Sequence, residues 1–305
     1  MYLGIDTSAY TTSIAIIDDN EIVLDKRVLL EVKKGKRGLK QSEAVFQHLL
    51  NLNNLSVILN KKEIKAVGVS IKPTNQTNSY MPVFKVGESV ANFSANLLGV
   101  PLVKITHQEG HIAAGIWSNK ITSKKILTIH MSGGTTDVLD VLNEDYKLKI
   151  KCIGKSSDLH AGQFIDRVGV SLGSHFPAGS TMDLWAQNTD DKKIRIPSSV
   201  IGNDISFSGP ESAAQRLIDK NHSRDEIANA TFICIARSIE KVIRNIYQKN
   251  MYDIILLVGG VARNSIIKKE LKSRLPYKLS FCKANYSSDN AVGVAVLTMK
   301  KYKNL

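Results

Sequence analysis

The 305-residue chain contains three cysteines, Cys152, Cys234 and Cys282, and no two of them have CxxC spacing. An odd, scattered set excludes a disulfide framework and a cysteine-built zinc site, and leaves reduced thiols. No apolar run approaches the roughly 18 residues that span a bilayer, so no membrane partner is expected. The opening residues, Met1-Tyr2-Leu3-Gly4-Ile5-Asp6, pass straight into a strand-like pattern with no basic and apolar leader, and a cytoplasmic protein is expected. Aromatic residues are 6% of the chain, and no Lys/Arg run interleaved with them marks a nucleic-acid face. Neither a Ser-His-Asp order nor a reactive-cysteine signature is present.

What is present begins with charge. Lys and Arg number 41 against 28 Asp and Glu, a net charge of +13. Such a surplus attracts polyanions such as RNA. A composition rich in Lys, Asn and Ile also follows from an AT-rich genome, so charge alone leaves both readings open. An apolar content of 43% over this length supports one large domain or two lobes, each with its own core.

Two segments follow one plan. Leu3-Gly4-Ile5-Asp6-Thr7-Ser8-Ala9-Tyr10-Thr11-Thr12 leads into an apolar run to Ile17, a turn at Asp18-Asp19-Asn20 and a third strand-like run. Leu127-Thr128-Ile129-His130-Met131-Ser132-Gly133-Gly134-Thr135-Thr136 leads into a run to Leu142, a turn at Asn143-Glu144-Asp145 and another run. The paired threonines lie 124 residues apart, as do Ile5 and Ile129. A loop of Ser, Thr and Gly between two strands offers hydroxyls and backbone N–H groups to a phosphate. Two such hairpins resemble the actin-like ATPase (ribonuclease H-like) fold, an α/β architecture in which two related lobes hold a nucleotide in the cleft between them. The repeat divides the chain into lobes over residues 1–125 and 126–305. With no low-complexity linker between them, the chain is expected to weave from one lobe to the other.

Further elements fit a doubly wound α/β reading. Ala66–Ser70, Pro101–Thr106 and Asp253–Val258 read as buried strands. Helices are predicted over 42–52, 86–98, 162–172, 211–218, 226–248, 265–275 and 289–300. Ser208-Gly209-Pro210-Glu211 reads as a capping box with Pro at the first helical position.

His107-Gln108-Glu109-Gly110-His111 follows a strand and opens a helix, which puts two histidines on one face, within reach of a single metal ion. The order is HxEGH, not HExxH, so Glu109 is not where the base of a zinc protease belongs. Spacing alone leaves a metal pair and two half-exposed helix histidines as alternatives. The best third donor is Asp289, placed at the start of the last helix. Gly259 and Gly260 end a buried strand, where α/β sheets bind ligands, and Asn264 follows at a helix start. The competing reading there is a tight turn and a helix cap. Asp166 and Asp183 lie near helix starts, where a carboxylate either holds a ribose hydroxyl or complements the helix dipole. His48, His130, His160, His175 and His222 have no evident partner.

Taken in order, the motifs resemble those of the tRNA N6-adenosine threonylcarbamoyltransferase family, formerly described as glycoproteases or O-sialoglycoprotein endopeptidases. They are Gly-Ile-Asp-Thr-Ser at 4–8, His-x-Glu-Gly-His at 107–111, Ser-Gly-Gly-x-Thr at 132–136 and Ala-Gly-x-x-x-Asp at 161–166. Phe-Pro-x-Gly at 176–179, Ser-Phe-Ser-Gly at 206–209, Gly-Gly-Val-Ala-x-Asn at 259–264 and Asp-Asn-Ala at 289–291 complete the set. The resemblance implies one divalent metal ion, iron or zinc, on His107, His111 and Asp289. It implies an adenine nucleotide (threonylcarbamoyl-AMP or ATP) whose phosphate or carbamoyl group meets Ser132, Gly133, Gly134 and Thr135. Asp166, Gly179 and Asp183 would then hold the ribose, with Asn264 on the adenine side beside Gly259 and Gly260. The implied reaction is acyl transfer to adenosine of tRNA, with tRNA and protein subunits as partners.

The chain also departs from the pattern. The family's Cys-Asp-Glu after Thr-Ser is Ala9-Tyr10-Thr11 here, its Ser-Gly-Gly-His-Thr has Thr135 for the histidine, and Asp-Asp-Ala-Ala-Gly-Glu has become Asp158-Leu159-His160-Ala161-Gly162-Gln163. Its glycine-rich loop after the third strand is replaced by Lys72–Tyr80. Presumed ligand-holding positions survive where acidic ones do not, the pattern of a divergent paralogue. The alternative reading is therefore a catalytically altered nucleotide-binding partner or regulator, with a metallopeptidase third.

Overall fold

The computed structural model describes residues 1–19, 21–32, 38–59, 63–189 and 194–303. The chain opens with β1 (Tyr2–Asp6), β2 (Thr11–Asp18) and β3 (Glu21–Leu29), so the first predicted turn lies where expected, although its Asn20 is outside the described residues. Next come α1 (Gln41–Ser56), β4 (Ala66–Ser70), α2 (Val83–Leu98), β5 (Leu102–Ile105) and α3 (His107–Ser118). The second hairpin set is β6 (Lys125–Met131), β7 (Thr136–Glu144) and β8 (Lys147–Lys155). It is followed by α4 (Ala161–Ser171), α5 (Gly179–Gln187), the short pair β9 (Ser199–Ile201) and β10 (Asp204–Ser206), α6 (Ser208–Asp219) and α7 (Arg224–Tyr247). The chain closes with β11 (Ile254–Val258), a 3-10 turn over Gly260–Arg263, α8 (Ser265–Arg274), β12 (Leu279–Phe281), α9 (Ala284–Ser287) and α10 (Val292–Lys303).

The repeat seen in the sequence is a repeat of topology. One sheet has the order β3-β2-β1-β4-β5 and the other β8-β7-β6-β11-β12, each antiparallel on the hairpin side and parallel on the other. Register follows the same offset: Ile5 faces Ile14 and Ile129 faces Val138, both shifted by 124. Central strands such as β1 and β11 are buried along their whole length, as parallel strands covered on both faces must be. The outer strand β8, Lys147–Lys155, alternates exposed lysines with apolar residues, a charged edge that resists pairing with another chain.

α3 packs against β6 and β11 of the second sheet, while α10, at the other end of the chain, packs on β1, β2 and β4 of the first. These two helices cross one another where Gly110 faces Gly293; a Cβ on Gly293 would overlap the Gly110 carbonyl and the Ala114 amide. The close approach therefore requires glycine at 293.

Two expectations need correction. α10 starts at Val292, not at Asp289, because the Asn290 side chain accepts the Val292 N–H (3.0 Å) and holds the preceding loop as a turn. Asp289 thus lies in the loop between α9 and α10. Ser208–Glu211 also forms no capping box: Phe207 occupies the N-cap with no side-chain cap bond, and Pro210 lies within α6. The acceptor comes instead from Asp158, distant in sequence.

Replacing Gly293 by alanine is expected to cost about 1–3 kcal/mol by overpacking, even after the helix-propensity gain. Gly209→Ala, where a Cβ would meet nothing, serves as the control and should stay within about 0.5 kcal/mol of the parent. Urea midpoints of the two variants decide the matter, and equal midpoints would mean that the crossing is not tight.

Candidate metal and nucleotide site

α3 presents its first turn because three features cap it. Thr106 Oγ1 accepts the Glu109 N–H (3.2 Å), and the Glu109 carboxylate accepts from the Thr106 N–H and hydroxyl (2.7 and 2.9 Å). The N–H groups of His107 and Gln108 are taken by the carbonyls of Lys72 and Pro73, in the loop that replaces the family's glycine-rich one. The Glu109 carboxylate is therefore engaged in the cap and is not poised as a hydrolytic base. That geometry weighs against peptidase chemistry.

His107 and His111 project from one face of this turn, with their Nε2 atoms 3.0 Å apart. Asp289 Oδ1 lies 3.4 Å from His107 Nε2 and 3.3 Å from His111 Nε2. Donor atoms bound at about 2.1 Å to one ion stand roughly 3.0–3.4 Å apart for bond angles between 90° and tetrahedral. The three donors fit that spacing. Behind them, Asp6 Oδ2 at the end of β1 accepts from His107 Nδ1 (3.0 Å), the carboxylate–imidazole arrangement that fixes ring orientation and tautomer. Among the described residues, these three are the group of His, Cys, Asp or Glu side chains close enough to share an ion.

The electrostatics follow from burial among like and unlike charges. Burial disfavours a charged His107, but Asp6 and Asp289 on either side more than reverse this and push its pKa up to about 10. Burial and the neighbouring His107 lower that of His111. Burial opposes the charge on Asp289, yet hydrogen bonds from both histidines hold its carboxyl well below the usual range. As these residues stand, His107 is an imidazolium between two carboxylates, facing a neutral His111.

His130, at the end of β6, packs its ring 4.8 Å from that of His111 and is buried with both ring nitrogens lacking a partner among the described residues. Burial, reinforced by the nearby histidines, drives its pKa well below normal. Sequence reasoning left His130 unassigned and gave Asp6 no role. A buried carboxylate at the carboxyl end of a central strand was the available signal for Asp6.

The second-lobe candidates are each held by local hydrogen bonds. Asp183, on α5, accepts from Asn264 Nδ2 (2.7 Å) and Ser265 Oγ (2.9 Å) through one oxygen. Asn264 also caps α8 by accepting the Ile267 N–H (2.9 Å). Asp166, on α4, accepts the N–H of Ala178 (2.8 Å), directly before Gly179 at the start of α5, and burial raises its pKa. Gly259 has φ +91°, and a Cβ there would overlap the Met131 carbonyl, so glycine brings the end of β11 against β6. Gly260 opens the 3-10 turn, not the helix. The Ser132–Thr135 loop is closed by Ser132 N–H to the Thr135 carbonyl (2.8 Å), with Gly133 and Gly134 exposed and open space where a Cβ on either would point. Such a loop lets a ligand reach the backbone.

Together the duplicated sheets and their facing loops define a two-lobed α/β protein of the actin-like ATPase fold. The same fold is seen in the activator of the 2-hydroxyisocaproyl-CoA dehydratase from Clostridium difficile with bound ADPNP, with a TM-score of 0.60 and 16% identity over 100% of this chain and 96% of that one. HypF of T. kodakarensis gives a TM-score of 0.65 at 15% identity, covering 100% of this chain and 48% of that one. The sequence carries the assignment further. The model of the tRNA N6-adenosine threonylcarbamoyltransferase family matches residues 47–296, and the chain belongs to that family of transferases. The tRNA N6-adenosine threonylcarbamoyltransferase of Thermosipho africanus is 29% identical, with 99% of this chain and 94% of that protein covered. A Prochlorococcus marinus protein of the same description is 27% identical, with 99% and 91% covered.

Asp158 stands where the family pattern has the first of two acids, and here it is a capping residue. It accepts from Ser206 Oγ (2.6 Å) and from the N–H groups of Leu159, Phe207 and Ser208 (2.6, 2.8 and 3.4 Å). Partial burial opposes its charge, but these donors outweigh burial and bring its pKa to about 2. A depressed folded-state pKa stabilises above the unfolded value of about 4 and is lost as pH falls toward about 2. Asp158→Ala should therefore cost about 1 kcal/mol at pH 7, the worth of a helix cap. The gap between the urea midpoints of parent and variant should narrow from pH 5 to pH 3; a gap that stays constant would exclude the carboxylate as its source.

Proposed function

We propose that the chain transfers a threonylcarbamoyl or related carbamoyl group from its adenylate to an adenosine of tRNA, with one divalent metal ion, iron or zinc, held by His107, His111 and Asp289. The observation that carries this reading is the convergence of those three donors at ligand spacing, with Asp6 orienting one of them. When bound, the ion supplies Lewis-acid polarisation of the adenylate. The other roles belong to the chain. The Ser132–Thr135 loop offers hydroxyls and N–H groups to the phosphate or to charge developing on the carbamoyl oxygen. Gly179, with Asp166 and the second oxygen of Asp183, receives the ribose, while Asn264 lies by the adenine, where Gly259 and Gly260 let the base approach. A protein subunit belongs to the reading as well. α1 and α2 touch one another and leave Phe46, Leu49, Phe93 and Leu97 exposed, an apolar surface that suits burial against a partner.

One observation favours the second reading, a nucleotide-binding regulator without turnover. Tyr10, where the family pattern has a carboxylate, packs edge-on against Phe176 of the second lobe, with ring centroids 5.6 Å apart. An aromatic contact between lobes stands where an acid is expected.

Nucleoside mass spectrometry of unmodified tRNA incubated with threonylcarbamoyl adenylate, the ion-loaded protein and its partner subunits separates the two. The first reading expects threonylcarbamoyladenosine; ligand binding without product establishes the second. His107→Ala and Asp289→Ala should each abolish stoichiometric ion content by elemental analysis, and Asp6→Asn should weaken ion affinity by about tenfold or more. Full ion content in His107→Ala would remove the metal from both readings.

A further inference from the structure

A basic cavity lies away from the cleft, on the face built by the middle of α7, the end of α8 and the segment entering β9. It has a volume of about 580 Å³ and is lined by Arg195, Arg237, Lys241 and Arg274, with Glu240 as its single acid. Arg274 is held in place, at 2.6 Å from Glu270 and 3.6 Å from Glu240. Glu240 is also bound to Arg244 (3.0 Å), so its charge is shared. Arg195, Arg237 and Lys241 make no ion pair or hydrogen bond among the described residues. The segment that carries Arg195 is fixed to α7 by Cys234 Sγ bonding to the Pro197 carbonyl (3.4 Å). Among the described residues, three cations with no ion pair of their own therefore face one concavity, with Glu240 as the acid in its lining.

We propose that this cavity is a second anion site that takes the phosphate groups of a phosphate ester. A net lining charge of three positive units matches the charge of a di- or triphosphate, or of successive backbone phosphates, and a volume in the range of ligand pockets admits either. The guanidinium forks supply the bidentate donors that phosphate oxygens require. A recess of about 80 Å³ adjoins it, shared at Arg195, Ile196 and Arg237 and lined also by Ile194, Ala230 and Ile233, which offers apolar contact to the organic part of an ester. The site is distinct from the nucleotide cleft. Arg274 ends α8, whose cap Asn264 belongs to the cleft, and a ten-residue helix separates its ends by about 15 Å. Its existence does not depend on whether the cleft catalyses transfer.

Two probes distinguish the sources of such phosphate: ADP, and a fluorescein-labelled single-stranded RNA followed by anisotropy, with pyrophosphate as the inorganic comparison. The full-length protein is compared with Arg195→Ala/Lys241→Ala, two exposed positions, and with Lys241→Glu alone, each checked by thermal melting. The double variant should bind RNA at least tenfold more weakly, with a slope of log affinity against log salt flatter by about 1.5, if backbone phosphates occupy the site. A tenfold loss confined to a second, weaker class of ADP sites, with RNA unaffected, identifies a free nucleotide as the occupant. Affinities for all three probes unchanged in both folded variants overturn the proposal. Loss of binding here with no tRNA modification by the parent protein would leave this site standing while removing the transferase reading.

Discussion

The crossing of α3 and α10 is the contact on which the rest of the molecule depends. α3 ends the first half of the chain and packs on the second sheet; α10 ends the second half and packs on the first. Each sheet is therefore covered by a helix from the other half of the chain. Where the two helices meet, Gly110 and Gly293 bring backbone against backbone, which fixes their relative position more tightly than side chains able to change rotamer would. The metal-ligating candidates are distributed across this contact: His107 and His111 flank Gly110 on α3, and Asp289 precedes α10 by three residues. A site whose donors are 178 residues apart is positioned by packing that has no ligand in it.

That packing also sustains an arrangement of charge that the residues would not adopt in water. Burying ionised groups is costly, and pairing offsets the cost only when the geometry is good. Here one imidazolium lies between Asp6 and Asp289, and each carboxylate has further donors, Ser8 for Asp6 and His111 for Asp289. The strands and helices that set these distances carry large buried apolar side chains, each worth about 1.5–3 kcal/mol, so the core can hold together a cluster that is costly in itself. An ion bound here would displace the Nε2 proton of His107, while packing keeps the donor atoms at their spacing.

Local signals in the sequence were legible where local physics decided the outcome. β11 follows from an unbroken apolar run, the opening of α3 from Thr106 and Glu109, and the duplication from threonine pairs at a constant offset. Misreadings arose where a distant residue intervened, or where several adjacent residues could equally begin a turn. Ser208 looked like a cap, but Asp158, about 50 positions earlier, supplies the acceptors and leaves Phe207 as the N-cap. Asp289 looked like a helix start because Asp, Asn and Ser all favour that position, and only the Asn290 bond to Val292 shows which of them begins the turn. The role of Asp6 rests on a contact spanning 101 residues that no spacing rule could supply. His48, without an evident partner in sequence, bonds Thr12 across α1 and β2 at 2.8 Å.

The duplication gives the site an asymmetry with a physical meaning. In the shared register Asp6 faces Ser13 and His130 faces Asp137, so Asp6 and His130 are the equivalent residues of the two halves. Asp6 closes β1, His130 is the next-to-last residue of β6, and they reach the start of α3 from opposite lobes: Asp6 bonds His107, and His130 packs against His111. One half places a carboxylate there and the other a neutral imidazole without a hydrogen-bond partner among the described residues. The two histidines of α3 are consequently unequal: both meet Asp289, but only the first has a second carboxylate behind it, where the second has the His130 ring. An ion shared between them would find one ligand strengthened by a carboxylate behind it and one left weaker. A second carboxylate at 130 would add a further negative charge to a buried cluster that already holds two, which is the more costly arrangement. The inequality is thus the less expensive way to build a two-histidine site between two copies of one strand.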